Sequence, residues 1–316
     1  MNRNVLQVAL IMVFVSCVGC ARDFYARQLV QPDTGRGKLS LMLTGTGEQL
    51  VKRGKIDLAR QFKMSDGVTI DVWVIRGKAP KPVKKSDPLK QRGTVVAMHG
   101  LCESKASMLG LGERLAQMGY DVVLPDLRTH GKSTGKYITY GVKESRDVKT
   151  VVDTLLAEKA VRSPVYVYGV TLGGTVAIQY AAIEPACKGV LAMTPYKDAR
   201  SIARRSIAAL APMMSPEDFE ATLERAGEMA DFNPAEASAV KAAARLQCPL
   251  HLICGLVDLS VPAAASNDIC NAAPEPKKLT VIAPHEQIVV AAILDRWIAD
   301  RIDELAKGKL KTEPPK

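Results

Sequence analysis

Two apolar periods alternate along the chain: short, near-continuous apolar runs, and longer stretches whose apolar residues recur three and four positions apart. Ile56 to Lys63 and Thr69 to Arg76 read as strands flanking Ser65-Asp66-Gly67, a hairpin turn. Thr94 to Met98 is a β-branched run that stops at His99-Gly100. The spacing of Leu109, Leu111, Leu115 and Met118 then predicts a helix closed by Gly119. Val122 to Leu124 is a strand ending at Pro125-Asp126, Val142 to Leu156 an amphipathic helix, Val165 to Tyr168 a buried strand and Thr175 to Ala182 a buried helix. Gly189 to Met193, Leu250 to Cys254 and Lys278 to Ile282 supply three more strands, and Ile288 to Leu305 a closing helix. This alternation predicts an α/β domain over residues 57–305, with a mostly parallel sheet and helices on both faces. Between the strands at Met193 and Leu250, the stretches Ile202 to Met214 and Pro216 to Met229 predict a small helical lid at about 196–246.

Composition agrees with that picture and narrows the partners. With 316 residues, 47% hydrophobic and 24% charged, the chain is long enough to bury a core without a metal clip or disulfide framework. The net charge of +10 is compatible with an anionic membrane surface. The basic residues gather in the loop from Lys78 to Arg92 and in the tail at 306–316, without interleaved aromatics for base stacking, so no nucleic-acid partner is expected. Nothing in the composition signals an oligomer.

The first twenty residues carry an address. Arg3, an apolar run from Val5 to Val15 and small residues up to Cys20 outline a secretory signal. Val5 to Val18 is shorter than the roughly 20 residues a membrane span needs. Cys17-Val18-Gly19-Cys20 resembles a bacterial lipoprotein signal, which implies Cys20 as the lipidated residue of an envelope protein held to the membrane by its lipid. Cys17 offers a second frame. Plain secretion and an uncleaved anchor remain alternatives, and residues 21–56 are expected to form a tether and lead-in. Five cysteines follow Cys20: Cys102, Cys187, Cys248, Cys254 and Cys270. Their pairing is left open, although Cys248 and Cys254 cannot join within one extended segment. Cysteine and histidine show no metal-ligand spacing.

In open parallel sheets the ligand crevice lies beyond the carboxyl ends of the strands. The strand at 165–168 runs into Gly169-Val170-Thr171-Leu172-Gly173-Gly174 and then a helix, the setting of a nucleophile elbow. Gly169 and Gly173 allow close approach of strand and helix, and the turn presents Thr171 at the helix N-terminus, where a developing oxyanion meets free N–H groups. No dinucleotide or phosphate-loop spacing is present, so no cofactor is implied.

Together with this elbow, His99-Gly100-Leu101, the turn from Asp126 to Ser133, the loop Gly255 to Pro262 and Pro284-His285-Glu286 stand in the order of the α/β-hydrolase superfamily, which the chain resembles over residues 57–305. The flavour resembles lipases, esterases and serine aminopeptidases with a helical cap. The resemblance implies an eight-stranded, mostly parallel sheet and a Thr171-Asp258-His285 triad acting on a small acyl substrate. It further implies an oxyanion hole from the backbone N–H groups of Leu101 and Leu172, a loop shaped by His99 and Gly100, and a structural role for Asp126, Arg128 and His130. Thr171 stands where the family has serine, or cysteine or aspartate in some branches. Asp198 is an alternative acid, Cys102 an alternative nucleophile, and His251 a packing residue within a strand. Three functions stay open: an ester or amide hydrolase, a catalytically impaired protein of the same fold that binds a ligand or partner under the lid, and an interaction protein using the basic loops.

Overall fold

A computed structural model describes residues 20–78, 92–258, 261–283 and 294–310. Eight strands form one sheet: β1 (Leu58–Lys63), β2 (Thr69–Ile75), β3 (Thr94–Met98), β4 (Asp121–Pro125), β5 (Val165–Val170), β6 (Cys187–Met193), β7 (Leu250–Gly255) and β8 (Lys277–Ile282), in the order β1-β2-β4-β3-β5-β6-β7-β8. Among the described residues only β2 runs antiparallel to both its neighbours, and from β4 to β8 every pairing is parallel. The predicted α/β class and mostly parallel sheet are therefore borne out.

The sheet is apolar on both faces because helices cover both. Val96, Val123, Val167, Val190 and Leu250 lie in one core cluster, while their chain neighbours Val95, Val122, Tyr166 and Leu191 lie in the other. The strands consequently read as continuous β-branched runs rather than as alternating ones. Helices α5 (Val142–Ala157), α6 (Leu172–Ile183) and α10 (Ala263–Ala272) bury residues in the first cluster, with α4 (Leu109–Gln117) and the helix Leu294–Ala306 in the second. In α5 the stripe Val148, Val151, Val152 and Leu155 follows the helical period the sequence displays.

Residues 21–56 depart from the expected tether. They form α1 (20–30), α2 (Gly35–Thr44) and α3 (Gly47–Lys52), all packed on the domain. Ala26, Leu29 and Val30 are buried in the first cluster, and Leu41, Leu50 and Ile56 in the second. The Ile138 N–H donates to Val30 O at 2.8 Å, and Asp23 pairs with Arg225 at 2.7 Å. The run Thr44-Gly45-Thr46-Gly47 is a helix junction in which Thr46 and Gln49 build a reciprocal capping box.

The interval between β6 and β7 holds α7 (Ala199–Leu210), α8 (Pro216–Ala230) and α9 (Ala239–Ala243). Met214 and Met229 pack on the core, whereas Met213 is 94% exposed. The closing helix begins within the described residues at Leu294 and ends at Ala306, so the expected stretch 288–293 lies outside them, as do most of the basic loop and residues 311–316. Among the described residues no helix is long and apolar enough to cross a membrane.

Candidate active site

Thr171 joins β5 to α6 with φ 47° and ψ −108°, a conformation costly for a β-branched residue. Backbone hydrogen bonds on both sides fix it there: its N–H donates to Met193 O at 2.8 Å, and its carbonyl accepts from Thr175 N at 3.0 Å. The turn requires glycine where the sequence has it. A Cβ on Gly169 would lie 2.1 Å from Gly173 O, and one on Gly173 would lie 2.4 Å from Met98 O. Strand β5 extends two residues past the predicted end at Tyr168, carrying Gly169 and Val170 to the lip of the turn.

The Thr171 side chain is half-buried and points at the loop after β3. Its Oγ1 accepts the backbone N–H of Leu101 at 3.3 Å. Leu172 is the first residue of α6, so its amide belongs to the helix end that lacks intrahelical acceptors. Both expected oxyanion donors therefore flank the nucleophile candidate.

Two histidines hold the Leu101 loop. The Leu127 N–H donates to His99 Nε2 at 3.0 Å, which leaves the ring proton on Nδ1, facing Gly100 O at 2.8 Å. His130 is arranged alike: Cys102 N–H donates to its Nε2 at 3.2 Å, and its Nδ1 faces Arg128 O at 2.9 Å. Burial drives both below the usual histidine range, His99 well below, so the neutral tautomers are the ones the loop uses. Glu103 adds a third tie, accepting the Gly100 N–H at 3.2 Å.

Beneath this loop the fully buried Lys105 ammonium bridges Asp126 and Asp71, the latter at 2.6 Å, and lies 4.8 Å from the Trp73 ring centroid. Asp126 also accepts the backbone N–H groups of Lys105 and Lys132 at 2.8 Å each. Arg128 forms a two-pronged pair with Asp147 at 2.8 Å per contact. Asp126, Arg128 and His130 thus build the turn.

Asp258 follows β7, half-buried, and its Oδ1 accepts the Val261 N–H at 2.9 Å. His285 lies outside the described residues. Asp198 is the N-cap of α7, accepting Ser201 N–H at 2.7 Å, which gives it a structural role instead of that of an alternative acid. Burial raises the Cys102 thiol, so it is no activated thiolate. His251 is buried in β7, its Nε2 2.9 Å from Thr280 Oγ1. Cys20 is exposed at the first described position.

Tyr196 is a neighbour of the site that the sequence reading passed over. It lies just beyond the carboxyl end of β6, where the crevice rule directs attention, and its N–H donates to Thr175 Oγ1 at 2.8 Å. Burial pushes the Tyr196 phenol up to about 12, a side-chain hydrogen bond with Thr171 works against that rise, and the charge of Asp258 adds to it. Tyr196 is therefore a direct neighbour of the nucleophile candidate and lies within the electrostatic reach of the acid candidate. With Ile202, Val261 and Pro262 it lines a mostly apolar cavity of about 250 Å³ between α7 and α10.

Sheet order, elbow and the loops beyond the strand ends define an α/β-hydrolase fold. The family model described as Serine aminopeptidase, S33, matches residues 90–221, which contain the Leu101 loop and the elbow. The chain is 30% identical over 88 residues to the Bacillus subtilis (strain 168) protein YqkD, itself described as uncharacterized; the match spans 28% of this chain and 29% of YqkD. Among solved structures it resembles the Pyrococcus furiosus esterase Pf2001, with a TM-score of 0.62, 22% identity, and coverage of 89% of this chain and 99% of that one. A 2,6-dihydroxy-pseudo-oxynicotine hydrolase gives a TM-score of 0.59 at 16% identity, covering 82% and 71%. The α/β hydrolase GrgF from Penicillium sp. sh18 gives 0.56 at 17%, covering 80% and 98%. At these identities the structural likeness is one of fold.

Proposed function

We propose that the protein is an exported, lipid-anchored hydrolase of carboxylic esters, or of amides, working through an acyl-enzyme. The observation that carries this reading is the Thr171 hydroxyl, held on a positive-φ elbow 3.3 Å from the Leu101 amide. In the proposed reaction His285 takes the Thr171 proton as Oγ1 attacks the substrate carbonyl, and Asp258 orients the imidazole and stabilises its charged form. The carbonyl oxygen gains the negative charge and is met by the amide of Leu172 and by that of Leu101, which Oγ1 vacates as it attacks. His285 then protonates the leaving alkoxide or amine. Water, deprotonated by the same histidine, releases the acid. Cys20 is the proposed lipid attachment point, which places a small acyl substrate at the cell envelope.

A second reading is favoured by the same contact. The Leu101 amide, needed for an oxyanion, is already occupied by the Thr171 hydroxyl, and the threonine methyl restricts the rotation that would free it. On this reading the protein binds a ligand under the lid without turning it over. Assay of p-nitrophenyl acyl esters of several chain lengths with the parent, Thr171→Ser, Thr171→Ala and His285→Ala separates the two. The hydrolase reading expects turnover by parent and Thr171→Ser, and its loss in both alanine variants. Equal rates in all four overturn the Thr171 mechanism. An inert parent with an active Thr171→Ser supports the binding protein. For the anchor, Cys20→Ala is expected to release the protein from membranes, and unchanged membrane association would remove lipidation.

A further inference from the structure

Two buried thiols meet at the edge of the sheet opposite the elbow. Cys187 is the first residue of β6 and is 2% exposed, while Cys248 lies just before β7 and is 8% exposed. Strand β6 carries an irregularity here: Val165 pairs with Cys187, but Val167 pairs with Val190, so three steps along β6 match two along β5. One extra residue is therefore bulged out between Cys187 and Val190. On the other side Val190 pairs with Leu250 and donates its N–H to Pro249 O at 2.9 Å. Two steps back from Leu250 is Cys248. Two regular steps back from Val190, with the bulge absorbed, is Cys187. Counted through the bulge, Cys187 and Cys248, the latter in the bend that leads into β7, fall at matching positions where two strands about 4.8 Å apart begin, close to the Cα separation that a disulfide spans.

The side chains also share a face. Cys187, Val190, Cys248 and Leu250 all belong to the same core cluster. The two thiols interact directly, and Cys187 Sγ is 3.6 Å from Gly189 O. Both are free thiols in the structure.

We propose that Cys187 and Cys248 are a disulfide-forming pair that staples the two strands from which the helical insertion α7–α9 leaves and to which it returns. The two thiols together lose two protons and two electrons as the S–S bond forms. The acceptor is a small-molecule or protein disulfide, reduced to two thiols: one cysteine thiolate attacks it, and the second displaces the departing thiol from the mixed disulfide. Because both cysteines are buried, exchange takes place while the chain folds or opens. Closing the long loop between them constrains the unfolded chain and stabilises the fold, while the elbow at the far ends of the strands keeps its geometry. The inference is independent of the hydrolase reading, and an inert esterase assay leaves it standing.

The test uses the full chain, unfolded and refolded with excess oxidised glutathione, then alkylated under denaturing conditions and mapped by protease digestion and mass spectrometry. The expected result is a peptide pair joined through residues 187 and 248, lighter by two hydrogens than the two thiol peptides and separated by reductant. The melting temperature should fall by several degrees on reduction, and Cys187→Ser and Cys248→Ser should each abolish that reductant dependence. Full alkylation of both cysteines after refolding with the oxidant, or linkage of either to a different cysteine, overturns the proposal even where a variant fails to fold.

Discussion

The backbone N–H of Leu101 donates to the hydroxyl of Thr171 across 3.3 Å, joining the loop after β3 to the turn after β5. Strands β3 and β5 are parallel neighbours, with Met98 level with Gly169, so the two loops leave the sheet side by side. The contact between an amide and a hydroxyl far apart in the chain is therefore a product of strand order.

Little room surrounds that contact. A Cβ on Gly100 would fall 2.8 Å from Thr171 Oγ1. Gly100→Ala should displace the Thr171 hydroxyl and, on the hydrolase reading, lower kcat because the nucleophile is pushed out of its attacking position. Ester hydrolysis kinetics with a parallel melting curve checks this; a stable variant with parental kcat would show that the contact has no catalytic role.

Gly169→Ala should act on folding, because the clash is with the backbone of Gly173 and no side chain can move aside. Loss of soluble, cooperatively unfolding protein is expected, measured by urea titration.

The buried Lys105 is balanced by Asp126 and Asp71. Lys105→Met would leave two carboxylates facing each other without a cation, at a cost of about 3 to 5 kcal/mol. Denaturant unfolding measures this loss. A double variant, Lys105→Met with Asp126→Asn, should recover part of it.

Burial holds His251 down at about 4, and His99 is held well below its usual range by the same cause. The unfolded chain titrates histidine near 6.5, so between these values it binds protons that the folded protein refuses. Stability should be full above about pH 6.5 and fall as the pH drops. The His251 contribution to the loss approaches about 3 kcal/mol near pH 4. Unfolding free energies from pH 8 to 4 check the slope, and His251→Gln should flatten it.

Leu29→Ala tests whether α1 belongs to the domain. Its side chain is buried in the first core cluster, so truncation should cost about 2 to 5 kcal/mol. A change below about 0.5 kcal/mol, the size of a surface effect, would instead support a loosely attached segment.

Local features of the chain were sufficient for the sheet and the elbow. Runs such as Thr94–Met98 and Val165–Tyr168 are apolar at every position because both faces of a parallel strand are covered, and this leaves a one-dimensional mark. Gly169 and Gly173 flank Thr171 because strand and helix backbones nearly touch there. The segment 21–56 was less legible: α1 and α2 bury only a few residues each, so their sequences look polar enough for a tether until the core supplies partners for Ala26, Leu29 and Leu41. Tyr196 carries no motif, and its nearness to Thr171 comes from the adjacency of β5 and β6. The amino-acid order by itself determined which segments become strands and helices, because periodicity and turn chemistry are local. Which loops share the carboxyl edge of the sheet, which histidines stay neutral, and which two cysteines lie level were decided by tertiary structure, because strand order, burial and a bulge are relations between distant parts of the chain.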